Sequence, residues 1–159
     1  MIDHLAKILI VEDVDTKFAE VKSCVEMTVC GIVLVTRATH LNQAEDEVMN
    51  GGWELLVLDL SMDIAATGSF DLTSGHATLG GLDVLERMSL LKISIPTILV
   101  TGFDSFQDPD RFDNAIMSLA DVSAMARRFI GPQYLGYVRY GVDGWSDQLV
   151  DLLKGWVRQ

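Results

Sequence analysis

The sequence predicts an α/β fold in which a five-stranded parallel sheet carries helices on both faces. Short apolar, β-branched segments alternate with longer segments of helical periodicity along the whole chain. Several of the apolar segments are uninterrupted, as expected of strands that are buried on both faces. Acidic or polar residues follow these segments directly, at the strand ends where ligands bind in parallel sheets.

Five strands and five helices are predicted in strict alternation. The strands share short apolar segments and cover residues 7–11, 31–35, 55–58, 96–100 and 134–140. The helices share apolar residues at helical spacing and cover residues 16–27, 42–49, 81–91, 110–129 and 146–157. Because crossovers between parallel strands are right-handed, the doubly wound, flavodoxin-like order 2-1-3-4-5 is the expected topology. No shift in composition divides the chain, so we expect a single domain over residues 1–159, with enlarged loops near 61–80 and 102–133.

Composition excludes some functions. The 159 residues are 49% hydrophobic, which is enough for one core, and the net charge is −11. That charge argues against direct nucleic-acid binding, which needs Lys and Arg to displace counterions. No segment approaches the roughly 18 apolar residues of a membrane helix, and the N-terminus lacks the order of a signal peptide. With two cysteines that match no disulfide framework, we expect a cytoplasmic protein without membrane insertion.

Acidic side chains follow two strands that are neighbours in this topology. Glu12 and Asp13 follow the first strand, Asp59 follows the third, and Thr101 ends the fourth. Three carboxylates at one sheet edge repel one another unless a cation lies between them. Magnesium suits a site with a few carboxylates that keeps several waters and gains a phosphate oxygen.

A carboxylate beside such a metal can attack phosphorus and form an aspartyl phosphate. Asp59 fits this nucleophile, and Thr101 fits a hydroxyl that binds an equatorial oxygen of the transferred group. Each residue alone has a simpler explanation, since Asp13 or Asp15 could cap the helix that begins near Thr16. The joint placement of Glu12, Asp13, Asp59 and Thr101 at consistent strand ends favours the functional interpretation.

The sequence resembles the response regulator receiver family (CheY-like). The matching segments span most of the chain in the family's order: residues 8–13 (ILIVED), 55–60 (LLVLDL), 80–85 (GGLDVL), 95–102 (IPTILVTG) and 136–140 (GYVRY). The resemblance implies a receiver domain that binds Mg²⁺ through Glu12, Asp13, Asp59 and the backbone carbonyl of Ser61. It also implies that Asp59 is the phosphoacceptor and Thr101 the switch hydroxyl.

The end of the fifth strand departs from the family pattern. The family has a Lys-Pro pair there, whose ammonium binds the phosphoryl group, whereas this chain has Tyr140 and Gly141. Arg139 is a candidate substitute, although strand alternation would direct it to the opposite face unless the strand twists or bulges. Tyr137 falls where the family has an aromatic residue that changes rotamer on activation; packing of this tyrosine on a neighbouring helix is the alternative.

Two loops are longer than in the family. Residues 63–78 are expected to form a lid or partner loop over the site. The enlarged segment 102–133 lies on what the resemblance implies is the output face, and it indicates a specialised partner.

The expected function is phosphorelay (two-component) signal transduction rather than enzymatic turnover beyond self-phosphorylation. The expected partners are a sensor histidine kinase or phosphotransfer protein and a downstream protein, and a homodimer is compatible with the sequence. Because the chain stops about where the last helix should end, we expect the output to come from another protein.

Three alternatives stay open at the level of sequence. A pseudo-receiver would use the same fold as an interaction module without phosphorylation. A haloacid-dehalogenase-like phosphatase is indicated weakly by Asp13-Val-Asp-Thr16, but Lys17 stands where that signature needs threonine. A flavin-binding flavodoxin is weaker still, because Glu12, Asp13 and Asp15 would repel a phosphate in the absence of a metal.

Overall fold

The computed structural model describes residues 4–62, 79–113 and 115–159. Within these ranges the strands are β1 (Leu5–Val11), β2 (Ile32–Ala38), β3 (Leu55–Leu58), β4 (Thr97–Thr101), β5 (Ser105–Gln107), β6 (Ile116–Ser118) and β7 (Tyr134–Arg139). The α-helices are α1 (Asp15–Thr28), α2 (Leu41–Asn50), α3 (Gly80–Leu90), α4 (Pro109–Phe112), α5 (Leu119–Ile130) and α6 (Trp145–Val157). A 3₁₀ turn, Gly131–Gln133, precedes β7. Residues 63–78, the expected lid or partner loop, lie outside the described residues.

The main sheet has the strand order β2-β1-β3-β4-β7, and every neighbouring pair in it is parallel. This is the predicted order 2-1-3-4-5, so the predicted fold class is confirmed. Successive residues of β1 pack on opposite faces of the sheet. Leu9 and Val11 join the core on the side of α2, α3 and α5, whereas Ile8 and Ile10 join the core on the side of α1 and α6. Burial on both faces explains why this strand is continuously apolar.

The segment between β4 and β7 differs from the prediction of one extended helix over residues 110–129. A short antiparallel hairpin of β5 and β6 encloses the four-residue helix α4, and α5 begins only at Leu119. Ser118 and Asp121 form a capping box that starts α5, with each side chain bonded to the other residue's backbone amide. The predicted helix was therefore wrong in its first half, because a strong N-terminal cap divides the segment.

Two side chains fasten this insertion to the domain. Phe106 of β5 is fully buried in the core on the α3 and α5 side. Arg111 of α4 pairs with Asp83 and, at 2.6 Å, with Glu86, both on α3, and its Nε lies 3.1 Å from Asp108. The guanidinium side chain is only 15% exposed, so these partners offset the cost of its burial. The hairpin is thus a packed part of the domain.

No helix in the described part of the chain is long and apolar enough to cross a lipid bilayer.

Substitution of Phe106 with alanine should destabilise the protein by about 3–5 kcal/mol, because it leaves a cavity in the core. Phe103 is 40% exposed and lies in the same insertion, so Phe103→Ala is the matched control and should cost less than about 1 kcal/mol. Urea unfolding of both variants measures the difference. Equal losses would mean that Phe106 is not an anchor of the hairpin.

Candidate functional site

Backbone hydrogen bonds hold the ends of β1 and β3 together at one edge of the sheet. The Asp59 amide donates to the Val11 carbonyl at 3.0 Å, and the Glu12 amide donates to the Ala38 carbonyl at 2.9 Å. As a result, carboxylate oxygens of Glu12, Asp13 and Asp59 all lie within 4.8 Å of one another. The structure therefore brings together the three acids that the strand order predicted.

These acids differ in burial. Glu12 and Asp59 are 2% and 4% exposed, whereas Asp13 faces solvent. Burial raises the pKa of Glu12 to about 7, and the charge of Asp59 adds to this increase while Lys17 opposes it. Burial also raises the pKa of Asp59, against the opposing effects of Lys17 and of hydrogen bonds from Ser61. The cluster is thus short of positive charge.

Lys17 is the site residue that sequence reasoning missed. Its Nζ lies 2.5 Å from Glu12 Oε2 and 3.4 Å from Asp59 Oδ1, and its side chain is 6% exposed. Lys17 stands on the buried face of α1 together with Val21 and Val25, which follow at intervals of one helical turn. A lysine at the start of that apolar stripe is a signal in the sequence that its ammonium points inward.

Ser61 is arranged around the Asp59 carboxylate. Its hydroxyl donates to Asp59 Oδ1 at 3.0 Å and to Oδ2 at 3.2 Å, and its amide donates to Oδ1 at 3.2 Å. These bonds fix the orientation of the carboxylate. A metal-binding role for the Ser61 carbonyl stays a prediction.

The start of α1 does not use the nearby acids as caps. Val14, which has no polar side chain, occupies the N-cap position, and its amide donates to Glu12 Oε1 at 3.0 Å. Asp15 lies within the first turn and pairs with Arg37 Nη2 at 2.8 Å. Helix capping by Asp13 or Asp15 was the simpler explanation for these residues, and it is wrong.

Thr101 and Arg139 lie opposite each other on β4 and β7. Thr101 is fully buried, and its hydroxyl accepts a hydrogen bond from the Phe103 amide at 3.2 Å. The Arg139 guanidinium donates to the Gly102 carbonyl and lies 4.0 Å from Asp104. It is thus engaged by the loop after β4, and the described residues give it no ion pair with the acidic cluster.

Tyr140 extends toward α1 instead. Its hydroxyl donates to Glu20 Oε2 at 2.7 Å, and its ring centroid lies 5.6 Å from Lys17 Nζ. The bond to Glu20 is the main reason why the pKa of Tyr140 rises to about 12. Tyr140 therefore holds its position beside the acidic cluster from the end of β7.

Tyr137 is 42% exposed and lines a surface groove of about 330 Å³ between α5, β7 and α6, which Arg127, Tyr134 and Leu152 also line. Its proposed rotamer change stays a prediction.

The backbone at Asp59 and Leu60 lies very close to the start of α3. A Cβ at Gly81 would lie 2.6 Å from the Asp59 carbonyl oxygen and 2.8 Å from Leu60 Cα, and the Gly81 amide donates to the Leu60 carbonyl at 3.0 Å. Only glycine fits this approach, so α3 and the backbone of Asp59 are positioned together.

Several solved structures with a similar architecture are described as receiver domains or response regulators. A CheY-like response regulator receiver domain protein from Methanospirillum hungatei JF-1 is 19% identical, with a TM-score of 0.62 over 98% of this chain and 95% of that one. The signal receiver domain of a putative Luxo repressor protein from Vibrio parahaemolyticus is 14% identical, with a TM-score of 0.65 over 98% and 92%. This chain has the receiver-domain fold. A response regulator from Colwellia psychrerythraea, 16% identical, gives a TM-score of 0.62 over 98% of this chain and all of that one.

These similarities confirm the receiver fold that the sequence motifs predicted. No family model matches the sequence, and no curated protein matches it either.

Alanine at Gly81 should destabilise the receiver fold by about 1–3 kcal/mol, because the new methyl group overlaps the backbone at Asp59. Gly155 in α6 has nothing within 4 Å of such a Cβ, so Gly155→Ala should stabilise the protein by about 0.5–1 kcal/mol. Opposite signs of the two changes in urea unfolding would support the close approach, and a neutral Gly81→Ala would contradict it.

Stability should depend on pH through the buried acids. The folded state raises the pKa of Glu12 from 4.5 to about 7, so between these values the folded chain holds more protons than the unfolded chain. The free energy of unfolding should therefore fall as pH rises from about 5 to 7, by as much as about 3 kcal/mol for Glu12.

Chelator-treated protein in urea at a series of pH values measures this decline. Glu12→Gln should make the decline smaller, whereas Glu26→Gln, on the exposed face of α1, should leave it unchanged. A profile of Glu12→Gln that matches the wild type would show that Glu12 is not the titrating group.

Proposed function

We propose that this chain is a phosphoryl-accepting receiver in phosphorelay signalling, with Asp59 as the phosphoacceptor and Mg²⁺ as the required cation. The observation that carries the proposal is the meeting of buried Asp59 with Glu12 and Asp13 at the carboxyl edge of a parallel sheet. Two of these acids have a raised pKa, which is the electrostatic signature of a site that gains from a cation.

The donor set fits magnesium. It offers hard carboxylate oxygens from two adjacent strand ends, and Asp13 is open to solvent, so a bound ion could keep waters. Asp13 and Asp59 are the residues that would hold the ion directly. Since the two Glu12 oxygens already accept bonds from the Val14 amide and from Lys17, Glu12 would act on the ion through water. The ion would neutralise charge on the phosphoryl oxygens when bound.

The chain's own residues supply the remaining chemistry. An Asp59 oxygen forms the new bond to phosphorus while the donor's bond to phosphorus breaks, and that electron pair leaves with a histidine imidazole or with acetate. Ser61 orients the Asp59 carboxylate through its hydroxyl and amide. Thr101 is the hydroxyl proposed to donate to a phosphoryl oxygen after transfer, and its acceptor bond from the Phe103 amide does not use that proton.

The phosphoryl donor would be a sensor histidine kinase or a phosphotransfer protein in the cytoplasm, and a downstream protein would recognise the modified state. The groove beside Tyr137 lies on the face where the family resemblance implies that output partners bind.

A pseudo-receiver is the second candidate, and one observation favours it. The ammonium of Lys17 already contacts Glu12 and Asp59, so part of the charge conflict is resolved within the chain itself. In that case the domain would act as a constitutive interaction module.

Incubation with acetyl phosphate and magnesium should add one phosphoryl group to the wild type, as measured by intact mass. Asp59→Asn should take up none, because it lacks the attacking carboxylate, whereas Asp46→Asn, at an exposed position of α2, should react like the wild type. A wild type that stays unmodified would argue against the receiver function.

The melting temperature with and without magnesium separates the two candidates. A receiver with a working metal site should melt at a higher temperature in magnesium, through preferential binding to the folded state. An unchanged melting temperature together with an unmodified Asp59 would favour the pseudo-receiver.

A further inference from the structure

Lys17 is a buried cation that contacts Asp59, the proposed nucleophile. Its Nζ lies 3.4 Å from Asp59 Oδ1, and its shorter contact, 2.5 Å, is with Glu12 Oε2. Burial of an ammonium is costly unless anions surround it, and a lysine on an apolar helix stripe is unusual for that reason. The position of Lys17 thus depends on the acidic cluster.

The surroundings of Lys17 keep its ammonium beside the cluster. The ring of Tyr140 lies 5.6 Å from Nζ on the side of β7. That ring is held by the hydrogen bond to Glu20 and by packing on Trp145, with ring centroids 4.7 Å apart. An aromatic ring therefore occupies the end of β7, and the ammonium enters the same site from α1.

The charges of the cluster leave room for a second cation. When all three carboxylates are ionised, Lys17 offsets one of three negative charges, and no other described residue forms an ion pair with them. Within the described residues, Lys17 forms ion pairs with Glu12 and Asp59 and none with Asp13. A divalent ion on the open Asp13 side and an ammonium on the Glu12 side would therefore complement each other.

Arg139, the cation that the sequence offered at the end of β7, is directed elsewhere. Its guanidinium donates to the carbonyl of Gly102 and approaches Asp104 in the loop after β4. Recruitment of Arg139 to the phosphoryl group would break these contacts, whereas Lys17 is already in place.

We propose that Lys17 is the phosphoryl-binding cation of this site, supplied by α1. The inference rests on the proposed function. When the donor's bond to phosphorus breaks and the bond to Asp59 forms, the transferred group keeps its negative oxygens beside Asp59, where the ammonium can donate to one of them. Because Lys17 is already desolvated and held by Glu12 and Tyr140, little reorganisation accompanies that contact.

Beryllofluoride, a phosphoryl mimic, tests the contact by calorimetric titration into magnesium-saturated protein. Lys17→Met should weaken beryllofluoride binding roughly 10- to 100-fold, the range of one charge-assisted hydrogen bond. Magnesium alone should bind Lys17→Met at least as tightly as the wild type, because a nearby positive charge is removed. Lys22→Met, at a half-exposed lysine of the same helix, should bind both ligands like the wild type.

Two further variants keep the test informative. If Lys17→Met does not fold, Lys17→Gln takes its place in the titration. The glutamine amide can still donate to Glu12 but carries no charge, so the same loss of beryllofluoride affinity is expected. The double variant Lys17→Met with Tyr140→Lys returns an ammonium to the end of β7, and it should recover beryllofluoride affinity, which a purely structural role for Lys17 does not predict.

The outcomes separate this inference from the function on which it rests. If the wild type binds beryllofluoride and the neutral Lys17 variants bind it equally well, Lys17 is only an internal counter-ion and the inference is overturned. If the wild type itself neither binds beryllofluoride nor accepts phosphate, the proposed function fails and the role of Lys17 fails with it.

Discussion

Electrostatic repulsion among Glu12, Asp13 and Asp59 is the physical constraint around which this site is organised. Parallel pairing of β1 with β3 places the carboxylates at the same edge, and burial removes the water that would screen two of them. The chain relieves part of this repulsion with Lys17 and with the hydroxyl and amide of Ser61. With all three acids ionised, Lys17 balances only one of the three charges among the described residues, which is the physical basis for expecting a metal here.

The supply of a cation from α1 has consequences for the neighbouring elements. In the role proposed for Lys17, the ammonium would come from the first helix and not from the end of β7, where the aromatic Tyr140 stands. Tyr140, which directly follows β7, contacts Glu20 on α1 and Trp145 on α6. The three elements α1, β7 and α6 therefore share one set of contacts at the edge of the acidic cluster.

The insertion between β4 and β7 is connected with this edge through the loop that follows Thr101. The Phe103 amide bonds to the Thr101 hydroxyl, Arg139 bonds to the Gly102 carbonyl, and the Leu119 amide bonds to the Asp104 carbonyl at 3.1 Å. A movement of the Thr101 hydroxyl would thus alter hydrogen bonds at the base of the hairpin. The hairpin itself is held in the core by the buried side chain of Phe106.

The error over residues 110–129 shows the limit of periodicity in short segments. Apolar spacing is compatible with helix across this whole range, but Ser118 and Asp121 carry the signature of a helix start within it. The strands β5 and β6 are three residues each, too short for an alternating pattern to be distinguished from helix.

The sequence by itself determined the alternation of strands and helices, the order of the main sheet and the meeting of the three acids, because apolar periodicity and the handedness of crossovers leave few alternatives. The tertiary structure decided which cation meets those acids. The apolar stripe of α1 indicates that Lys17 is buried, but contact with the acids depends on the direction that its side chain and that of Arg139 take in the packed domain. That direction depends on how α1 and β7 pack on the sheet, where burial and the nearest partner charges orient Lys17 inward and Arg139 toward the loop after β4.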